Sequence, residues 1–528
     1  MSDRPGTPVP VLISGGGVTG LACAAFLARR GVPCMLVERH PGLLAHPRAR
    51  GLTPRTMEIF RGLGIEGALR DAAFAGADYA WTPVMAETLN DDEYGSSDEP
   101  SEDVGTDASP APFGHVDQDR VEEILRDRAG ELGARIRYGV ELASFEQDAD
   151  GVTARLVDRA TGTAEIVRAG YLVAADGFHS PVRGALGVEL DGPGTLFHTI
   201  TAIVDADLTP ATRGRAIGTA YLQRPLPFTI MMPHGTDGRR WVFGTGYDPA
   251  DRSPADFTDA EIAGMVRAAA GLPDVAVTPR PQIPGTDLKV LGFPIGAQIA
   301  RRFRTGRVFL AGDAAHAWPP TGGLGANAGV QDAHNLAWKL AEVHAGRAGD
   351  ALLDTYEAER RATGLLTMEQ AMARFGSRMG PGDGPEIIDY GAVSMGYRYR
   401  SSAIIESGAP EPPAEPPAPL RPARLDGRPG ARAPHVDLGG GRSTLDLYGD
   451  GFVLLAGRDT TGWTALEEPG VTVHRFGDGE LKGADESSHG IGTRGALLVR
   501  PDGFVAWRGA DAAPAAVAAA VRAIRGAS

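Results

Sequence analysis

Six residues, Gly15-Gly16-Gly17-Val18-Thr19-Gly20, limit what this chain can fold into more than any other stretch. They follow the apolar run VPVLIS and open the helical pattern LACAAFLARR, which closes at Gly31, so the local order is strand, glycine turn, helix. A second apolar run, Cys34 to Val37, ends on Glu38, near the spacing of about 20 residues at which an acid meets a ribose hydroxyl. Gly15 permits the tight turn, Gly17 lets the backbone approach a pyrophosphate, and Gly20 lets the helix pack on the strand. The free N–H groups of the helix start face the phosphates, which brings Val18 and Thr19 into the site, and Arg39 adjoins the acid. The pattern specifies a dinucleotide without saying which. Gly490, Gly492 and Gly495 repeat the glycine spacing without the strand before or the helix after, and are expected in a loop.

Two further turns narrow the ligand. The strand-like run Tyr171 to Ala175 leads into DGFHSPVR from Asp176, and RVFLA leads into Gly312-Asp313-Ala314-Ala315-His316. Asp313 at a strand end, with Gly312 clearing space beside it, can set a carboxylate against a polyol. Gly325, Ala326 and Asn327 then open a helix whose N–H groups can face an anion, such as the N1 and C2 carbonyl region of a reduced flavin. Pro319 and Pro320 set an extended entry to that helix. Taken singly, Asp176 and Asp313 read equally well as turn residues.

Together, GGGVTG, DGFHSPVR and GDAAHAWPPTGGLGANAGVQDAHNLAWKL resemble the flavoprotein aromatic hydroxylases typified by 4-hydroxybenzoate hydroxylase, over roughly the first 400 residues. The resemblance implies FAD, with Asp313 on its ribityl chain, Arg48 on its pyrophosphate, Gln118 beside the flavin, and Gly312 and Pro320 in the flavin loop. It also implies that Asp176 and Gly177 touch the cofactor and serve NADPH or NADH as co-substrate. From the residues alone, Arg50 and Arg55 rival Arg48, Gln118 fits the first turn of a helix, and His316 fits a structural histidine better than a base.

The expected fold class is α/β: a Rossmann-like FAD-binding domain, an inserted β-sheet substrate domain and a carboxy-terminal thioredoxin-like α/β domain. The FAD-binding domain takes residues 1–75, 112–190 and 286–408, and the substrate domain 76–111 and 191–285, fed by the runs ITAIVDADL, FTIMMP and WVFGTG. Within it, NDDEYGSSDEPSEDVGTDASPA (90–111) reads as a mobile acidic loop. Residues 409–434 are Pro-rich and read as a stiff, extended linker, and 435–528 resemble a thioredoxin-like unit. That unit holds no cysteine, so packing or homodimer formation is its expected role.

Composition excludes several classes. A net charge of −15 opposes nucleic acid, whose binding needs clustered Lys and Arg. No run of about 18 apolar residues suggests a membrane span, and the polar start MSDRPGTP does not resemble a signal peptide, which points to the cytoplasm. Cys23 and Cys34 read as small buried residues, and no metal site is expected.

The resemblance implies that NAD(P)H reduces FAD, that O2 adds to it, and that a flavin C4a-hydroperoxide hydroxylates an aromatic small molecule. The tail and SMGYRYRSSAI most resemble enzymes acting on polycyclic polyketides in antibiotic biosynthesis. Phe228, Met231, Phe293 and Pro294 are candidate pocket residues, with ordinary sheet core as the plainer alternative, and no general base is assigned. Two rival functions stand beside this one: a Baeyer–Villiger monooxygenase on the same scaffold, and a flavin-binding partner protein without turnover.

Overall fold

The computed structural model describes residues 9–43, 49–73, 84–94, 108–215, 217–235, 238–283, 285–378, 385–406, 417–460, 468–511 and 513–526. The apolar run Val9–Ser14 lies at the middle of the first sheet, parallel to Cys34–Glu38 on one side and Ala164–Ala174 on the other. Val308–Leu310 adds in parallel beyond Ala164–Ala174. Strands covered on both faces need near-continuous apolar sequence, and Leu12, Ile13, Leu36, Leu172 and Val308 are all fully buried. The register sets Ser14 opposite Ala174, and Ala174 opposite Leu310. The three turns at Gly15, Asp176 and Gly312 therefore leave the sheet at the same edge, the carboxyl end where open α/β sheets hold their ligands.

The second sheet is built on two long antiparallel strands, Leu190–Asp205 and Val290–Ala300, extended by Arg240–Tyr247, Thr229–His234, Ala220–Leu222 and Val84–Ala86. Its pairing corrects the boundary expected at residue 286: Val290–Ala300 bonds along Leu190–Asp205 and belongs to this sheet, not to the FAD-binding unit. One face packs on the helix Asp259–Ala270 through Ile200, Ala202, Trp241, Phe243, Ile262 and Val266. Met231 is fully buried in that core, so its expected place in a pocket gives way to packing.

The carboxy-terminal unit has the strand order Val471–Arg475, Phe452–Ala456, Ala496–Val499, Val505–Gly509, with the first pair parallel and the rest antiparallel, closed by the helix Pro514–Arg525. Its core is continuous with Trp338 and Leu352 of the nucleotide unit. The linker expectation is corrected over 417–434. Leu420 N–H donates to Gly396 O at 2.8 Å, and Ala431, Arg432 and Ala433 are fully buried, because Arg432 finds a carboxylate in Glu58. Residues 407–416, and 95–107 of the acidic loop, lie outside the described residues. Gly490 caps the short turn Glu486–His489 in left-handed conformation, the loop setting expected for it.

Candidate active site

The glycine turn and the Asp176 turn touch. Gly15 has φ +111°, and a Cβ there would lie 2.1 Å from the carbonyl oxygen of Ala175, so no larger residue fits. The glycine turn also meets the Asp313 turn: Gly312 has φ +60°, and its Cβ would lie 2.4 Å from Thr19 Oγ1. Gly17 caps the helix Val18–Arg29 without a side chain, and the Val18 N–H expected to face a phosphate is instead taken by Glu122, which leaves the N–H groups of Thr19 and Gly20 at this meeting point.

Glu38 closes the first turn from beside it, accepting from the Gly16 N–H at 2.6 Å and the His40 N–H at 2.9 Å. Burial raises the cost of ionising its carboxyl, but the bonds from His40 and Gly16 outweigh that and hold it below the usual carboxylate range. Arg39 is exposed beside it. The Val18 N–H donates to Glu122 Oε1 at 3.1 Å, and Gln118 Nε2 donates to the same oxygen at 2.7 Å. Gln118 Oε1 accepts from the Ala49 N–H at 3.0 Å, so Gln118 ties the helix Gln118–Glu131 to the segment after residue 48 while Glu122 ties it to the first helix. Glu122 was not singled out in the sequence. It stands one turn beyond Gln118, on the same helix face.

Arg48 lies outside the described residues. Both of its rivals are engaged elsewhere: Arg55 pairs with Glu58 at 3.1 Å and donates to Asp502 O at 2.6 Å, while Arg50 Nε donates to Asp117 Oδ1 at 2.7 Å. Asp117 also accepts from the Gly235 N–H at 3.0 Å and lies 3.4 Å from His234 Nδ1. Asp117, Asp119 and His234 form the one group of metal-ligand type among the described residues, with Arg50 already balancing the Asp117 charge.

Asp176 turns both oxygens inward, accepting from Ser180 Oγ at 2.6 Å and the Val182 N–H at 3.0 Å. Burial raises its pKa despite those bonds. Gly177 follows in left-handed conformation at φ +85°. Asp313 is exposed at the crevice between buried Gly312 and Ala314. Its turn is held by Asp332, which accepts from the Gly312 N–H at 3.0 Å and Arg360 Nε at 2.7 Å and lies 2.7 Å from His316 Nε2. His316 is thus the structural histidine expected. Asp332, 20 residues from Gly312, was not singled out.

The helix expected to face the flavin starts at Leu324, so Gly325, Ala326 and Asn327 form its first turn, capped by Gly323 with no side-chain bond. The Asn327 side chain is spent internally, accepting from the Thr53 N–H at 2.8 Å and donating to Gly51 O at 2.9 Å, which leaves only its backbone for a ligand. Pro320 is exposed with φ −70° and ψ 5°, a bridge conformation rather than the extended one expected, because Thr321–Gly323 coils at once into a short turn.

An aromatic cluster that only the fold assembles joins the second sheet to the helix Ala351–Arg378. Phe197 stacks on Phe375 with centroids 5.8 Å apart and planes 13° apart, and Phe228 lies 6.2 Å from Phe375. Phe228 has φ +65°, a conformation that a bulky residue adopts only when its surroundings hold it there. Phe293 is paired with Thr199, whose face of the sheet Phe197 shares, whereas Pro294 is paired with His198 and points to the other face. Phe293 and Pro294 therefore cannot line one wall.

Residues 8–371 match the family model described as an FAD binding domain, and residues 426–528 match the one described as aromatic-ring hydroxylase, C-terminal. The chain is 43% identical over 540 residues to tetracenomycin A2 monooxygenase-dioxygenase of Streptomyces glaucescens, covering 95% of this chain and 93% of that protein. It is 40% identical to an aklavinone 12-hydroxylase of Streptomyces purpurascens, with 96% of each covered. Among solved structures, aklavinone-11 hydroxylase in ternary complex with FAD and aklavinone matches over 100% of both chains with a TM-score of 0.88 at 38% identity.

Proposed function

This chain belongs to the FAD-dependent aromatic-ring hydroxylases, and on that premise we propose that it hydroxylates a polycyclic aromatic polyketide using O2 and NAD(P)H. It is a monooxygenase and binds FAD. The observation that carries the site assignment is the mutual contact of three turns, Gly15 on Ala175 and Gly312 on Thr19. Two helices open beside them on glycines that supply no side-chain cap. Such a cradle fits an extended cofactor with a pyrophosphate in its middle. When bound, FAD supplies the oxygen-activating chemistry.

The protein's part is placement. Glu38 accepts from the ribose, Asp313 from the ribityl chain, Arg48 balances the pyrophosphate, Gln118 adjoins the flavin, and the first turn of Leu324–His344 offers N–H groups to an anionic edge. The Asp176–Gly177 turn serves NAD(P)H. Phe197, Phe228, Phe293 and Phe375 give a flat ring system an apolar wall, orient it, and keep water out. One oxygen atom of O2 enters the ring as a hydroxyl, the other leaves as water, and NAD(P)H supplies the two electrons.

Purified protein should oxidise NAD(P)H faster when a tetracyclic phenol is added, with a product heavier by one oxygen atom. A lactone or ring-opened product would mark the Baeyer–Villiger alternative, and no substrate-stimulated oxidation would mark an inert binder. The names of the relatives, monooxygenases and hydroxylases, support the first outcome. Asp313→Ala should weaken FAD binding about 10- to 100-fold, the loss of one charged hydrogen bond of about 1.5–3 kcal/mol. A homodimer is part of the same proposal, and light scattering checks it.

A further inference from the structure

Arg50 and Asp117 form a buried ion pair whose two partners each send a second bond across to the second sheet. Arg50 Nε donates to Asp117 Oδ1 at 2.7 Å, and Arg50 Nη1 donates to Gly218 O at 3.2 Å. Asp117 Oδ2 in turn accepts from the Gly235 N–H at 3.0 Å. The pair also flanks a lock on the nucleotide side, where the Gln118 N–H donates to Ala49 O at 3.0 Å and the Ala49 N–H donates to Gln118 Oε1 at 3.0 Å. Arg50 and Gln118 are therefore held to one another through their immediate neighbours.

The two crossing bonds land at one place in the second sheet. Gly218 leads into Ala220–Leu222, Gly235 follows Thr229–His234, and these strands pair antiparallel with Ala220 opposite Met231 and Leu222 opposite Thr229. Gly218 and Gly235 thus lie at the same end of a hairpin. Its other end is the turn that carries Phe228, fixed at φ +65° and 6.2 Å from Phe375. Thr229–His234 runs for six residues, so base and tip stand roughly 20 Å apart at about 3.4 Å per residue. The strand is paired on both sides, by Ala220–Leu222 and by Arg240–Tyr247, so bending it breaks ladder bonds. A displacement at the base is passed to the tip.

We propose that Arg50 is a positioning residue for the aromatic substrate: with Asp117 it grips the base of this hairpin and so fixes Phe228, at the tip, relative to Gln118. This rests on the assignment of the Phe197, Phe228 and Phe375 cluster to the substrate and of Gln118 to the flavin. A guanidinium suits the task because its planar fork meets a carboxylate of one unit and a carbonyl of the other at once, whereas an ammonium is a single point charge. A shift of the sheet at this end costs both crossing bonds.

The test is R50K, which keeps a cation beside Asp117 and removes the fork, together with F228A and the double variant. We expect R50K to raise KM for a tetracyclic phenol about three- to tenfold and to release more hydrogen peroxide per NAD(P)H, while affinity for FAD stays within about twofold. F228A alone should also raise KM. Because Arg50 acts through Phe228, the two changes should not add: in the F228A background R50K should alter KM by less than about twofold. Fully multiplicative effects, the result of a merely structural role, overturn the proposal, as does an unchanged KM and peroxide yield in R50K. Should R50K not fold, amide exchange in the wild-type protein without cofactor decides. A Gly235 amide that exchanges as slowly as those of Arg240–Tyr247 supports the grip, and one that exchanges as fast as an unprotected amide overturns it. Absence of substrate-stimulated NAD(P)H oxidation in the wild-type protein overturns the functional reading instead, a failure seen before any variant is made.

Discussion

At the seam with the carboxy-terminal unit, Glu359 is fully buried between Lys339 Nζ at 2.8 Å and Arg500 Nη1 at 2.6 Å, whereas at the seam with the second sheet Arg361 reaches Asp191 at 2.9 Å in contact with solvent. The first seam continues with Asp502, which accepts from Trp338 Nε1 at 3.1 Å, and with Arg525 on Glu342 at 2.9 Å. The second continues with Arg378 on Tyr221 at 2.7 Å and the stacked pair Phe197 and Phe375. Buried charges tolerate almost no displacement, since a shift leaves them unpaired in a low-dielectric interior. Stacked rings and half-exposed pairs slide at little cost. The carboxy-terminal unit is therefore a fixed buttress behind the helix Leu324–His344, and on the proposed reading the freedom to admit and release a substrate lies along the Arg361 and Phe375 part of the second seam, away from the buried Asp117.

The sharpest way to break this contrast is Glu359→Gln. Burial opposes ionisation of Glu359, but Arg500 and Lys339 hold its carboxyl far below the usual range, while burial pulls Lys339 down to about 8. Removing the carboxylate leaves buried Lys339 without a counter-charge and Arg500 with Asp502 alone, and should cost about 3–5 kcal/mol in chemical denaturation. A loss under about 1 kcal/mol would mean the seam is not a fixed one.

Next in size is the acid sensitivity of the carboxy-terminal unit. Burial depresses His489 from 6.5 to about 4. The unfolded chain binds that proton more readily than the folded one, so stability rises with pH: it is fully present above about 6.5 and lost as pH falls toward 4. The loss is about 3 kcal/mol. His489→Gln should flatten the stability curve in that window, and an unchanged slope in the variant would assign the acid sensitivity to other groups.

Which parts of this were legible beforehand follows from the range of the interactions. The glycine turn could be read because its demands are local: a left-handed φ at Gly15 and an acid one strand later leave a pattern within a few tens of residues. The Asp313 turn was legible for the same reason, but its support was not, since Asp332 reaches it across 20 residues and Arg360 reaches Asp332 across a further 28. The Phe197–Phe375 wall joins a strand to a distant helix, and no periodicity announces it. The Pro-rich stretch misled for the opposite reason. Its composition describes an isolated chain correctly, but Arg432 meets Glu58 across 374 residues and folds the segment down.

At the second seam, Asp117→Asn should have a smaller effect than either change above. Burial opposes its ionisation, yet His234 and Arg50 hold its pKa at about 2, so its contribution of about 2 kcal/mol is present above 3.8 and lost only as pH falls through about 2. That window lies below the one set by His489, which lets acid titration address the two seams separately. Because Asp117 immediately precedes Gln118, the variant should also bind FAD several-fold less tightly, measured by fluorescence quenching. Wild-type stability and FAD affinity in Asp117→Asn would remove the second sheet from any role in holding the cofactor site.

The smallest effect on stability, and the one that most sharpens the contrast, is expected from Phe375→Ala. Phe375 is half-buried near the end of the helix Ala351–Arg378 and contacts Phe197 and Phe228 across the second seam. Each aromatic pair contributes about 0.5–1.5 kcal/mol beyond area burial, and partial exposure puts the stability loss near the bottom of that range. For a bound polycyclic ring the same contact is enclosed, so the loss should reach the upper part, about a tenfold rise in KM. Coupling of NAD(P)H oxidation to hydroxylation should fall as well, because a loosely held ring admits water to the reacting face. The joint readout is decisive: unchanged thermal stability with raised KM and more hydrogen peroxide places the substrate at the mobile seam. Lowered stability with unchanged KM would make the Phe197–Phe375 stack a structural clamp, and the two seams would then differ in chemistry but not in task.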